Sequence, residues 1–208
     1  MTPKPSRTTT APMRPFLRFL PFLLILPAGA VPIWLHDHAE TGAQLQMRAP
    51  PSLENLFERL RNSENAQAAA RQESEIYLRL TKSNSPSVDL LLERASVAYA
   101  QGDKDGARAI LDDVAALAPD FAEGLTRAAA LAYDDGDHER TRALLKRALA
   151  AEPRHFGAWA GLGLLLEDAG DWRGAQHAYR EALYWHPFFD AAKRGLLRVE
   201  AKTDGLRM

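Results

Sequence analysis

Residues 156–189 read FGAWAGLGLLLEDAGDWRGAQHAYREALYWHPFF, and this stretch decides the fold. Trp159, Leu162 and Leu166 recur at the spacing of one helix face. Gly170-Asp171 then interrupts the pattern. A glycine ends a helix because the residue after the C-cap often needs a positive φ, and the aspartate after it can accept hydrogen bonds from the free amides of a second helix. Ala175, Tyr179 and Ala182 carry that second helix, and Pro187 closes it, since the proline ring cannot continue a helix. The stretch is a helical hairpin with its own punctuation.

The same punctuation recurs upstream every 34 residues. Pro119 and Pro153 precede Pro187; Gly102-Asp103 and Gly136-Asp137 precede Gly170-Asp171. Ala107, Thr141 and Ala175 keep the interval, as do Val114, Ala148 and Ala182. Four registers on one period define three copies, at 88–121, 122–155 and 156–189, with Leu91, Val97 and Ala98 forming the first-helix stripe of copy one. These marks resemble the tetratricopeptide repeat, with Leu166 replacing the usual tyrosine of copy three. The resemblance implies an all-α, right-handed superhelix whose first helices line a concave wall.

Such a stack needs a polar-backed cap at each open end. Residues 190–202 fit the C-terminal one: Ala192, Leu196 and Val199 share a face, and Lys193, Arg194, Arg198 and Lys202 cover the rest. Residues 52–82 read as a helical hairpin, with stripes Leu53, Phe57, Leu60 and Ala69, Ile76, Leu80, placed to cap copy one or to be a decayed copy of it. Ser85-Pro86 opens copy one as N-cap and first helical residue.

The whole chain of 208 residues has net charge −1, 46% apolar and 25% charged residues, and no cysteine. This balance excludes a strongly basic nucleic-acid binder, a disulfide framework and any thiolate chemistry. Residues 1–30 hold four of the 26 cations and none of the 27 acids, leaving 22 basic against 27 acidic residues beyond them. Behind the basic start, residues 19–35 carry no charge and pass the small trio Ala28-Gly29-Ala30. That is the pattern of a secretory leader cut after Ala30. The alternative is an uncleaved anchor, with membrane association through residues 14–35, Arg18 on the cytoplasmic side and Trp34 at the far interface. Both readings export the repeat domain, to the periplasm or to the outer face of the cytoplasmic membrane, with residues 31–51 as a tether.

Catalysis finds little support. No nucleophile–base motif, phosphate loop or dinucleotide fingerprint occurs, and no histidine pair has the spacing of a helical metal site. The six histidines read as incidental surface residues. Gly157, Gly161 and Gly163 read as points of close helix contact. The expected catalytic residues, metal and cofactor are therefore none.

By the resemblance, the concave wall takes Asp89, Leu92, Ser96, Tyr99 and Ala100 from copy one. Copy two gives Glu123, Thr126, Ala130, Tyr133 and Asp134, and copy three Gly157, Ala160, Leu164, Glu167 and Asp168. This wall carries acids, two tyrosines one period apart, and no Lys or Arg, so the cationic clamp of chaperone-docking repeats is missing. The expectation is a non-catalytic adaptor that grips a partner segment of basic or apolar character, not nucleic acid. Asp89, Leu92, Tyr99, Glu123, Thr126, Tyr133, Asp134, Leu164, Glu167 and Asp168 are its contacts. Tyr99 and Tyr133 are either partner contacts or packing against the next copy. The alternative is a membrane-tethered assembly factor, carrying clients as repeat domains of cytochrome c maturation do. The basic second helices (Arg140, Arg142, Lys146, Arg147, Arg173, Arg180) read as a solvated face.

Overall fold

The computed structural model describes residues 50–205. The leader and most of the tether lie outside the described residues. Nine helices and no strand occur among those described. They are α1 (Leu53–Arg61), α2 (Ala66–Leu80), α3 (Pro86–Ala100), α4 (Lys104–Leu117), α5 (Ala122–Asp134), α6 (His138–Ala151), α7 (Phe156–Asp168), α8 (Trp172–Trp185) and α9 (Asp190–Gly205). No described helix is long and apolar enough to cross a membrane.

The Gly-Asp turns show why they recur. Gly102, Gly136 and Gly170 have φ of 83°, 76° and 74°, in the left-handed region that costs an L side chain about 1 kcal/mol or more. The following aspartate amide reaches back to a helix carbonyl, as Asp137 N–H does to Ala132 at 2.9 Å. Its carboxylate accepts from the next helix, as Asp137 does from Arg140 N–H at 3.0 Å. Two residues therefore satisfy orphan groups of both helices. Pro86 starts α3 as expected, but the Ser85 side chain makes no cap bond. The start of α3 is instead tied by Asp89, whose Oδ1 accepts from the amide and hydroxyl of Ser83 at 2.7 Å each.

Small residues set the helix spacing. Tyr179 on α8 is wedged between Gly163 on α7 and Gly195 on α9. An alanine Cβ at Gly195 would lie 2.2 Å from Tyr179 Cζ, and one at Gly163 2.7 Å from the same ring. Gly195→Ala is expected to cost about 1–3 kcal/mol by overpacking, measured as a lower urea midpoint at unchanged slope. A loss below about 0.3 kcal/mol would show that α9 is free to move away. The last helix runs to Gly205, three residues past the expected cap at 190–202.

The N-terminal hairpin does not cap copy one. Its buried Leu56, Phe57, Leu60, Ala69, Ile76 and Leu80 form one core with Phe156, packed against Trp185, Phe188 and Phe189. Phe57 meets Trp185 edge-on at 6.1 Å, and Tyr77 meets Phe156 at 5.5 Å. Arg154 lies over Phe57 at 4.7 Å, and Arg61 donates to the Tyr184 hydroxyl at 2.7 Å. The hairpin thus covers the edge of copies two and three, where second helices end and first helices begin. The sequence pattern showed two apolar stripes but not which surface they meet; in the structure they meet the aromatic cluster around Phe156. Val97, assigned to the inner stripe of copy one, is half exposed instead.

Among the described histidines His155 and His186 are buried, which corrects the surface reading for these two. His155 caps α7: its Nδ1 accepts from Ala158 N–H at 3.1 Å, which leaves Nε2 to carry the hydrogen toward Glu123 Oε2, 3.1 Å away. His186 stacks in the aromatic cluster, its Nε2 3.2 Å from Glu73 Oε2 but out of line for a hydrogen bond.

Candidate functional site

The wall residues of the first helices separate into three groups. Leu92 and Glu123 are buried, so they are core residues and not partner contacts. Gly157 sits close to the Tyr77 hydroxyl of the hairpin, which screens this end of the wall. Asp89, Ser96, Tyr99, Ala130, Tyr133, Asp134 and Asp168 remain at least partly accessible, as do Thr126, Leu164 and Glu167.

The acids and tyrosines of the wall are bonded to one another. Tyr99 donates its hydroxyl to Asp134 Oδ2 at 2.7 Å, and Tyr133 donates to Asp168 in the same register. Each tyrosine thus ties its copy to the acid 35 residues on. The bond to Asp134 raises the Tyr99 phenol. Desolvation and the bond to Asp168 push Tyr133 up to about 12. Lys104 lies 3.3 Å from Asp134 and Lys82 3.5 Å from Asp89. Glu167 accepts from Arg198 at 2.7 and 2.8 Å and from the Tyr179 hydroxyl at 2.7 Å. These donors hold Asp89, Asp134 and Glu167 below the usual carboxylate range, the Ser83 amide leading for Asp89, Tyr99 for Asp134 and Arg198 for Glu167. Thr126 turns its hydroxyl back to Ala122 C=O at 2.8 Å.

One cation was missed. Arg127 reaches the wall from α5, pairing with Glu123 at 2.6 Å and with the Ser96 hydroxyl. The wall is therefore not free of Lys and Arg. The 34-residue register that gives Glu93, Arg127, Gly161 and Gly195 marks this place, and glycine in the later copies hid it as a packing position.

What remains open is the half of the wall formed by α3 and α5. A trough of about 220 Å³ is lined by Ala95, Ser96, Tyr99, Leu111, Arg127, Ala130 and Leu131. A second space of about 260 Å³ shares Ser96 and Arg127 and extends to Lys82 and Asp89. The first has an apolar floor with one guanidinium at its side. On the second helices, Arg140 pairs with Asp112, Arg147 donates to Pro119 C=O at 3.1 Å and Arg180 to Glu200 at 3.2 Å. Among the described residues no group of His, Asp and Glu is placed to hold a metal ion.

Comparison with known proteins agrees with this geometry. The tetratricopeptide-repeat family profile matches residues 132–198. The Sgt2 TPR domain of Aspergillus fumigatus is similar at 27% identity and TM-score 0.56, over 59% of this chain and 83% of that one. The first TPR of Spaghetti (RPAP3), solved bound to the HSP90 peptide SRMEEVD, is 16% identical with TM-score 0.55, over 59% and 96%. MamA is 20% identical with TM-score 0.53, over 71% and 86%. No curated protein matches the chain. Residues 132–198 match the tetratricopeptide-repeat family, and the fold of the described residues is the all-α superhelix of such repeats. This is the architecture of a protein-interaction module.

Proposed function

We propose that this protein is a non-catalytic adaptor that holds a partner segment against the α3–α5 half of its concave wall, outside the cytoplasm. The observation that carries the reading is the apolar trough beside Arg127, an accessible concavity on this half of the wall. Pairing of Asp89, Asp134 and Glu167 with Lys82, Lys104 and Arg198 weakens the reason to favour a basic segment and leaves an apolar side chain as the fitting anchor, with Tyr99 and Arg127 as polar neighbours. The leader pattern of residues 1–30 supports export, cleaved or anchored. Peptide binding by a similar domain supports a segment as partner.

A photo-crosslinking residue at Ala130, on the wall, is expected to trap one discrete partner in intact cells, whereas one at Ala150, exposed on α6, is not. Equal trapping at both positions would refute the wall as the binding site. Trapping of many chains at Ala130 would instead favour the client-carrier alternative. Protease added to spheroplasts but not to intact cells should reach the repeats if the domain is exported.

A further inference from the structure

We infer that the N-terminal end face of copy one is an interface for a second copy of this chain, paired about a two-fold axis parallel to the helices. The face is identified by its repeat register. Leu131, Leu165 and Val199 face the preceding second helix and are 3%, 1% and 0% exposed; Val97, their counterpart in copy one, is 50% exposed. Gly124, Ala158 and Ala192 pack tightly at the neighbouring position, where a Cβ on Gly124 would lie 2.7 Å from Val114. The counterpart there is Leu90, 57% exposed. Copy one therefore presents large apolar residues where no second helix precedes it.

α4 contributes the other half of the face. On α6, Arg140, Leu144 and Arg147 point at the preceding copy, Arg140 reaching Asp112 and Arg147 reaching Pro119. One period earlier these places are Gly106, Ile110 and Asp113, and the stripe continues to Leu117, which is 64% exposed. The missing cover is not the hairpin, which lies on copies two and three.

Charge placement points to a second copy as the occupant. α3 and α4 run antiparallel through the turn at 101–103, so the face carries Leu90, Arg94 and Val97 beside Leu117, Asp113 and Ile110. A two-fold axis along the helices lays α3 of one copy on α4 of the other. Leu90 then meets Leu117, Val97 meets Ile110, and Arg94 meets Asp113, each twice. Arg94 and Asp113 are exposed, and neither takes part in an ion pair among the described residues. Isologous pairing satisfies both, and closes the assembly at two copies.

Sedimentation velocity of the purified full chain, up to about 100 μM, tests this, the range covering interfaces of micromolar affinity. The wild type is expected to form dimers in a concentration-dependent manner. Arg94→Glu and Asp113→Arg should each weaken dimerisation about tenfold or more, by setting like charges opposite each other twice. An equimolar mixture of the two variants should dimerise again, because each supplies what the other lacks; so should the double variant. Both substitutions are at exposed positions, and unchanged circular dichroism separates the effect from misfolding. A wild type that stays monomeric overturns the inference, whether upstream residues or another protein cover the face. So does association that both single variants retain, or a mixture that fails to recover. None of these outcomes depends on the concave trough.

Discussion

Phe156→Ala is expected to cost about 3–5 kcal/mol and to free the N-terminal hairpin before the repeats unfold. Phe156 is fully buried, and its ring lies 5.5 Å from Tyr77, 4.9 Å from His186 and 5.1 Å from Phe189. It belongs at once to α7 and to the core of α1 and α2, so truncation opens a cavity at the joint between them. The remaining ties are the edge-on Phe57–Trp185 contact, the flanking Phe188 and Phe189, and more peripheral ones: the Arg154 and Arg61 contacts to aromatic rings and the Glu73–His186 approach. Such contacts contribute about 1 kcal/mol each at exposed sites, less than the lost ring. Native-state hydrogen exchange checks this. Amides of α2 should lose protection while those of α4 and α5 keep theirs, because their core around Leu125 and Val114 does not include Phe156. Loss of protection uniform over all helices would mean that hairpin and repeats unfold as one unit. Unchanged protection in α2 would show that the hairpin is held by something other than this cluster.

The repeats were legible because each of their marks answers a local demand. Gly136 must reach a positive φ, Asp137 must cap α6, and Ala148 and Ala182 are fully buried where helices meet. Those demands are met within a few residues of chain, so spacing exposes them. The docking of the hairpin is a different problem. Phe57 and Trp185 are 128 residues apart, and nothing local distinguishes an apolar stripe that caps copy one from one that meets copy three. The wall shows the same division. Tyr99, Tyr133, Asp134 and Asp168 were placed by register, but their mutual bonding was not, since it depends on rotamers across two copies. Glu123 occupied a register position that reads as exposed. It is buried beside the His155 ring at the cap of α7, and a partner for that charge was visible in the sequence only as Arg127, one helical turn on.

Glu123→Ala should therefore act on stability, with a loss of about 3 kcal/mol, and not as a simple loss of partner capture. The carboxylate accepts from His155 Nε2 at 3.1 Å and from Arg127 at 2.6 Å, joining α5 to the cap of α7 and to the Arg127 that reaches Ser96 on α3. Removing it leaves a buried imidazole N–H without an acceptor. Burial alone would raise the Glu123 carboxyl, but the His155 bond and the Arg127 charge outweigh it and hold the group below its ordinary range. A carboxylate lowered in this way binds fewer protons folded than unfolded. Its contribution is complete above the unfolded value near 4.3 and is lost as pH falls through the folded one. Glu123→Gln keeps the shape and an acceptor for His155 but has no charge to titrate. The stability gap between wild type and Glu123→Gln, measured by urea unfolding, should be full at about pH 6 and narrow steadily below about pH 4. A gap that stays constant down to about pH 2.5 would mean that the ionised carboxylate is not what joins the first helices here.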